Sequence, residues 1–454
     1  MIRRNGLAAI AIAMTFVGAP AVKADTLAQA LTAAYNNSGL LDQNRALLRA
    51  ADEGVAQSVA ATLPVINWSI STNRTRVESP ATATTTSTLA RITGDLTLFD
   101  FGVNQLGIDA QKEVVLGTRQ ALRGVEQDVL LRAVQAYMNL RSAGEFVQLR
   151  ENNVRLITQE FRAAQDRFEV GEVTRTDVAL AEARLAAARS LLAAAQGDLA
   201  RSVEEYRVAI GRNPSGPRTV SPAPVSRTLN DAKAFAVRNH PSVLEAQHSV
   251  TAAEINIRRA EAATRPSVSL NGSVSTNQDS DTTAQIGVSI GGPIYAGGLI
   301  LSQFRQVQAN RDAARSGLHL VTLGVQQQVG NAFASLQVAQ ASRQASERQI
   351  AAARVAFQGV REEATLGSRT TLDVLNAEQE LLDAQANRIA AQADEVIASY
   401  ALLSAMGLLT ADHLNLQVQQ YDPAEYYNLV KDAPTALSAQ GAALDRVLEA
   451  IGKE

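Results

Sequence analysis

Two halves of this 454-residue sequence carry the same landmarks in the same order. Phe168-Glu-Val-Gly171 followed by Thr176-Asp177-Val178 returns as Ala364-Thr-Leu-Gly367 followed by Leu372-Asp373-Val374, so that Gly171 and Gly367 stand 196 residues apart. Leu98-Phe99-Asp100-Phe101-Gly102 returns at the same spacing as Ile294-Tyr295-Ala296-Gly297-Gly298, and Tyr137 and Leu140 fall on Phe333 and Leu336. Upstream, Leu63-Pro64-Val65 matches Arg265-Pro266-Ser267 at a spacing of 202, so the first half holds six additional residues between these landmarks. A period this long means one supersecondary unit used twice. The halves divide the chain into a first repeat over 25–212, an irregular linker over 213–227 containing Pro214, Pro217, Pro222 and Pro224, a second repeat over 228–409, and a C-terminal segment over 410–454.

Each half reads as helix, strand hairpin, very long helix, turn, helix. No proline interrupts 103–168 or 299–364. Val154, Ile157, Phe161, Ala164 and Phe168 follow the 3-4-3-4 spacing of a coiled-coil seam, and Ile350, Ala353, Phe357 and Val360 repeat it. At 1.5 Å per residue each such helix reaches about 100 Å. Strands are predicted over 65–77, 88–100, 267–277 and 283–295. Ile66, Trp68 and Ile70 alternate with Asn67, Ser69 and Ser71; Leu96 and Leu98, Val268 and Leu270, and Ile286, Val288 and Ile290 alternate likewise. The tips, Ser79 to Ser87 and Gln278 to Thr283, read as water-exposed loops.

Strands of about ten residues with one apolar face suit a tilted crossing of a bilayer. Inside hydrocarbon every backbone N–H and C=O must be paired, so only a closed barrel survives, and membrane barrels begin at about eight strands. Four strands cannot close, so copies must pool them, giving eight in a dimer or twelve in a trimer. A soluble sandwich of half-buried hairpins is the competing reading, because alternation alone is a weak signal. Trp68, Phe99, Phe101 and Tyr295 are the candidate membrane-interface aromatics, in contact with lipid.

The first 24 residues carry Arg3 and Arg4, an apolar run from Leu7 to Val17, and Val22-Lys23-Ala24, the pattern of a secretory signal peptide. Its removal takes Arg3, Arg4 and Lys23 and moves the formal charge from −3 to −6, too weak a bias to imply a nucleic-acid partner. No cysteine is present, which excludes disulfides, thiolate metal sites and thiol catalysis. The chain is rich in alanine with only 4% aromatic residues, which suits thin helices packed side by side better than a bulky core. His240, His248, His319 and His413 are scattered without a catalytic or metal-binding spacing, and His240 before Pro241 reads as a helix start. Gly291-Gly292-Pro293 and Gly297-Gly298 lack the Gly-Lys-Ser/Thr of a phosphate cradle and read as a strand-to-helix bend. Glu362-Glu363 reads as a solvated helix face. No enzyme, cofactor or metal is expected.

The tandem repeat, Arg167-Phe-Glu-Val-Gly171 with Thr176-Asp177-Val178, and Gly367-Ser-Arg-Thr-Thr-Leu-Asp-Val-Leu-Asn-Ala377 together resemble the TolC-like outer-membrane efflux proteins over nearly all of the mature chain. Asp25-Thr-Leu-Ala-Gln-Ala-Leu31 and Tyr421-Asp-Pro423 look like the branch that serves type I secretion and multidrug pumps. The resemblance implies a mainly α fold with a β-barrel portion: a homotrimer whose twelve-stranded barrel in the outer membrane continues as a periplasmic α-helical tunnel. It implies a passive exit duct of a Gram-negative cell, working with a periplasmic adaptor protein and an inner-membrane transporter, either ABC or proton-driven. The turns at Gly171 and Gly367 are then the tips that contact the adaptor. Carried over by motif, Arg369 matches a tip arginine and Asp373 a ring carboxylate at the periplasmic gate. Asn376 stands where some members have a second aspartate, and Ala364 where some have a gate tyrosine. Thr176 and Asp177, in the equivalent turn of the first half, are candidate partners for Arg369.

The same residues have a plainer reading. Thr174 to Asp177 and Thr370 to Asp373 have the spacing of helix capping boxes. Two other function classes also use long helices: a periplasmic coiled-coil adaptor, expected to have one hairpin and a separate β domain, and a structural helical filament protein, expected to lack the signal and the bilayer-length strands.

Overall fold

A computed structural model of the chain describes residues 25–78, 82–225, 227–435 and 438–451. The signal segment 1–24 and the start of the first hairpin tip, 79–81, lie outside the described residues. The first repeat runs α1 (Leu27–Asn37), α2 (Gly39–Ala60), β1 (Val65–Glu78), β2 (Thr82–Phe99), α3 (Val103–Glu169) and α4 (Arg175–Ile210). The second runs α5 (Leu229–Asn239), α6 (Pro241–Ala262), β3 (Ser267–Asn277), β4 (Thr282–Gly291), α7 (Leu299–Thr365) and α8 (Thr371–Ala405), followed by α9 (Pro423–Val430) and α10 (Ala439–Ile451). Equivalent elements begin 202 residues apart up to β1 and β3 and 196 apart from α3 and α7 onward, so the six additional residues lie in the first hairpin.

The single opening helix expected in each repeat is two. Ser38 caps α2, its side chain accepting from Leu41 N at 3.3 Å. His240, with Pro241 behind it at the first helical position, does the same for α6, its Nδ1 accepting from Ser242 N at 3.2 Å. Both breaks turn a short helix onto the long rods. α3 and α7 are 67 residues each. Their seams bury Ile157 with Leu185 and Ala188 of α4, and Phe357 with Val374 of α8. The lateral order of the rods is α4, α3, α8, α7.

The largest core cluster lies where the short helices and linker wrap the rods, around Leu130, Val134, Tyr137, Tyr206 and Leu402. Tyr137 donates to the carbonyl of Asp25 at 2.7 Å, and the Asp25 carboxylate accepts from Tyr206 and pairs with Arg212. Asp25 N also donates to Gly216 O, and Arg218 N to Asp25 O, both at 3.1 Å, which ties the described start of the first repeat to the linker. α9 packs Tyr426 and Val430 against Ala56 of α2.

The four strands form one antiparallel sheet in the order β1-β2-β3-β4. Paired residues share a face, so Trp68 opposite Ile92, Ile92 opposite Val274, Leu270 opposite Val288 and Val268 opposite Ile290 make one side continuously apolar. The other side is polar: Asn271 donates to Asp95 at 2.7 Å, and Ser289 donates to Asn271 at 2.7 Å. Two strand boundaries differ from expectation. β2 starts at Thr82, because the Thr-rich run read as loop is β-compatible and pairs with Arg74 to Glu78. β4 ends at Gly291, because Gly292 approaches the Pro266 backbone so closely that a Cβ there would lie 2.8 Å from its Cα; Tyr295 therefore sits in the connection and not on the strand. A register shift between Thr97 and Phe99 also makes Phe99, not Leu98, the residue opposite Val268.

Candidate functional site

Each long helix ends at a glycine with positive φ, 80° at Gly171 and 77° at Gly367. That conformation lets Glu172 N reach back to Arg167 O at 2.8 Å, and Ser368 N to Glu363 O at 3.0 Å, closing the last turn. Three residues on, a threonine opens the returning helix. Thr174 accepts from Asp177 N at 3.4 Å while Asp177 accepts from Thr174 N at 2.9 Å; Thr370 and Asp373 repeat this at 3.2 Å and 2.9 Å. Both boxes are complete. The threonine donors hold the Asp177 and Asp373 carboxyls below the usual carboxylate range.

Capping leaves each carboxylate charged at the end of its rod. Asp373 and Asp177 therefore combine the capping role with a negative charge at the turn. Within one copy, Arg369 pairs with Glu363 at 2.8 Å and not with Thr176 or Asp177. Glu363 belongs to the pair read as plain solvated surface; its role depends on the glycine turn folding Arg369 back over the helix end, a reversal that helical spacing does not contain. Arg184 of α4 donates to Asn376 of α8 at 3.3 Å, linking the two repeats. Ala364 is buried against Phe357 and Val374. Beside the two glycines, Val170 and Leu366 present apolar side chains to solvent.

Just above the tip lies a group that sequence reasoning missed. Glu378 of α8 is buried and accepts from Asn153 of α3 at 3.0 Å; its other oxygen has no hydrogen-bond partner among the described residues. Glu160 of α3 stands near and pairs with Arg361 of α7 at 3.7 Å. Burial, and then the Glu160 charge, push the Glu378 carboxyl up to about 7 against the opposing pull of Asn153 and Arg361. Nothing in the helical spacing distinguishes Glu378; the partner 225 residues away is what gives it meaning.

At the far end, the candidate interface aromatics are all solvent-facing: Trp68 is 77% and Tyr295 89% exposed, while Phe99 and Phe101 touch edge to face at 4.7 Å. Arg265 stacks over Phe101 at 5.3 Å. Among the described residues nothing covers the apolar face of the sheet, with Ile286 82% exposed, and nothing pairs with the outer edges of β1 and β4. No helix among the described residues is long and apolar enough to cross a membrane. No group of three or more metal-ligating side chains occurs among the described residues. His248, expected to stand apart, meets Glu113 across α3 and α6 at 2.7 Å, a contact 135 residues long in sequence.

The Outer membrane efflux protein family matches residues 30–212 and 235–408, the two repeats. The outer membrane efflux protein BepC of Brucella suis is 38% identical over 436 residues, covering 94% of each chain. The outer membrane protein TolC of Escherichia coli is 26% identical over 64% of this chain and 63% of its own. Among solved structures, the Campylobacter jejuni CmeC outer membrane channel superposes with a TM-score of 0.75 at 15% identity, covering 90% of each chain.

Proposed function

Because the chain belongs to the outer membrane efflux protein family and is an outer-membrane channel for efflux or secretion that extends into the periplasm, we propose that three copies assemble the conduit. The observation that carries this is the sheet: four strands with a bare apolar face and two unpaired edges, mounted on rods of 67 residues. Hydrocarbon does not tolerate free edges, so β4 of one copy must pair with β1 of the next until the ring closes. An eight-stranded ring is filled by its own side chains, whereas twelve strands leave a lumen lined by the polar face of Asp95, Asn271 and Ser289. Trp68, Phe99, Phe101 and Tyr295 then meet the lipid interface.

The rods would continue the lumen through the periplasm and end at the paired turns. There Gly171 and Gly367, with Val170 and Leu366 beside them, form the surface offered to a periplasmic adaptor, and an inner-membrane transporter supplies the energy. Asp373, held charged by its capping box, and Arg369 with Glu363 form the gate, with Asn376, Thr176 and Asp177 around it; a threefold ring of Asp373 favours cations. Two measurements test this reading. Oligomers that survive sodium dodecyl sulfate until heated, in the outer-membrane fraction, are expected; a folded monomer stable in buffer without detergent overturns the assembly. In planar bilayers, Arg369→Ala is expected to raise conductance and Asp373→Ala to weaken cation preference; unchanged values in both remove the gate assignment.

A further inference from the structure

The internal repeat, applied to a seam inside one copy, specifies a seam between copies. In the layer α4, α3, α8, α7, the middle contact joins the long helix of the first repeat to the short helix of the second. At that contact Asn153 binds Glu378 at 3.0 Å, and Leu375 and Leu382, on the same face of α8 by helical spacing, are buried as well. The repeat spacing of 196 carries Asn153 to Gln349 on α7 and Glu378 to Glu182 on α4, so an amide faces a carboxylate again. The same spacing carries Leu375 to Ala179 and Leu382 to Ala186.

α4 and α7 are the two outer rods of the layer, and Gln349, Glu182, Ala179 and Ala186 are all exposed in one copy. Along α7, Leu320 and Val338 fall on the Gln349 stripe at helical spacing and remain 67% and 65% exposed. Nothing among the described residues of a single chain covers them. Where the inner seam has leucines, the outer flanks have alanines, so the backbones can approach more closely than within a copy. The sheet obeys the same operation: β2 pairs β3 inside a copy, and its equivalents are the free edges β4 and β1.

We propose that copies join by repeating the α3–α8 seam, α4 of one against α7 of the next, with Glu182 accepting a hydrogen bond from Gln349 of the partner subunit. This rests on the assembly proposed above and adds its contact face and register. Around the closed tunnel, amide–carboxylate clasps within and between copies would alternate at one height.

The chain has no cysteine, so a pair can be introduced without background. In the full-length protein in outer membranes, Glu182→Cys with Gln349→Cys is expected to oxidise to covalent oligomers that survive heating without reductant. Neither single variant should do so, because a head-to-tail contact does not bring a residue against itself. Asn153→Cys with Glu378→Cys should close within one chain and give no ladder. Oligomers in the unheated sample that heating dissolves to monomer in the double variant overturn this assignment and leave the assembly standing. Faster cross-linking of Glu182→Cys with Ala356→Cys, two turns nearer the tip, overturns the register. A monomer before heating overturns both proposals. As a second measurement without cysteine chemistry, Gln349→Glu should lower the yield of heat-resistant oligomer by opposing two carboxylates, and Glu182→Gln should restore it; no loss, or loss without rescue, overturns the pairing.

Discussion

Two carboxylates on α8 sit only a few residues apart and answer to opposite forces. Asp373 is stabilised as an anion by the N–H and hydroxyl of Thr370. Its charge therefore persists as pH falls through the ordinary carboxylate range, and cation preference should persist with it. Thr370→Ala removes the hydroxyl donor and leaves the backbone N–H, so the preference is expected to vanish at a pH moderately higher than in the parent, read from reversal potentials across a pH series. Glu378 is stabilised as an acid by burial. An unfolded chain releases that proton near 4.5 and the folded one near 7, so the folded state holds more protons between the two values. Stability consequently falls as pH rises through this window and levels off above it. Glu378→Gln should flatten this part of the dependence, measured as the unfolding temperature between pH 4.5 and 7.5; an unchanged slope places its origin elsewhere. The capping boxes were legible from threonine and aspartate at the right spacing. Asn153 with Glu378, and Arg369 with Glu363, were not, because the first is joined only by tertiary packing and the second by a left-handed glycine turn.

The elements themselves follow from local signals where those signals are chemically unambiguous. Uninterrupted 3-4-3-4 spacing marks the rods, and glycine, then threonine, marks their ends. The Thr-rich start of β2 was misread because composition alone does not separate a polar loop from a polar strand; its pairing with β1 decides. The turn from sheet to rod shows how far the repeat reaches. Phe101 has φ 54° where its equivalent Gly297 has 58°, and Gly102 and Gly298 both have 86°. A phenylalanine thus holds a conformation that favours glycine, alongside its contacts with Phe99 and Arg265. On the other side of the bend, Gly292 is fixed by space and not by φ. Gly292→Ala should force Pro266 to move and lower the unfolding temperature, whereas Gly291→Ala, with nothing within 4 Å, should act far less. Equal effects from the two would mean that the close approach does not constrain the bend.

At the scale of the molecule, the two faces of the sheet should answer differently to the same chemical change. Ile286→Asp places a charge on the apolar side, where acyl chains are proposed to lie, and should lower the recovery of membrane-inserted oligomer. Ser269→Asp, on the side that carries Asp95 and Asn271, should insert normally and shift ion selectivity instead. Similar recoveries would contradict the assignment of faces. The need for copies to pool their strands was legible in the strand count, whereas the number of copies was not, because eight and twelve strands both satisfy the backbone and the choice depends on how a second chain meets the free edges. One inequality between the repeats bears on the exterior of the cell. β1 has 14 residues and β2 18, against 11 and 10 in β3 and β4. At about 3.3 Å per residue, β1 alone outreaches β3 by roughly 10 Å. In a closed ring tall and low hairpins would take turns, so the outer mouth becomes a notched crown. Anything large that lands on it would touch Arg74, Arg76 and Glu78 on the tall crests before it could sense the hole between them.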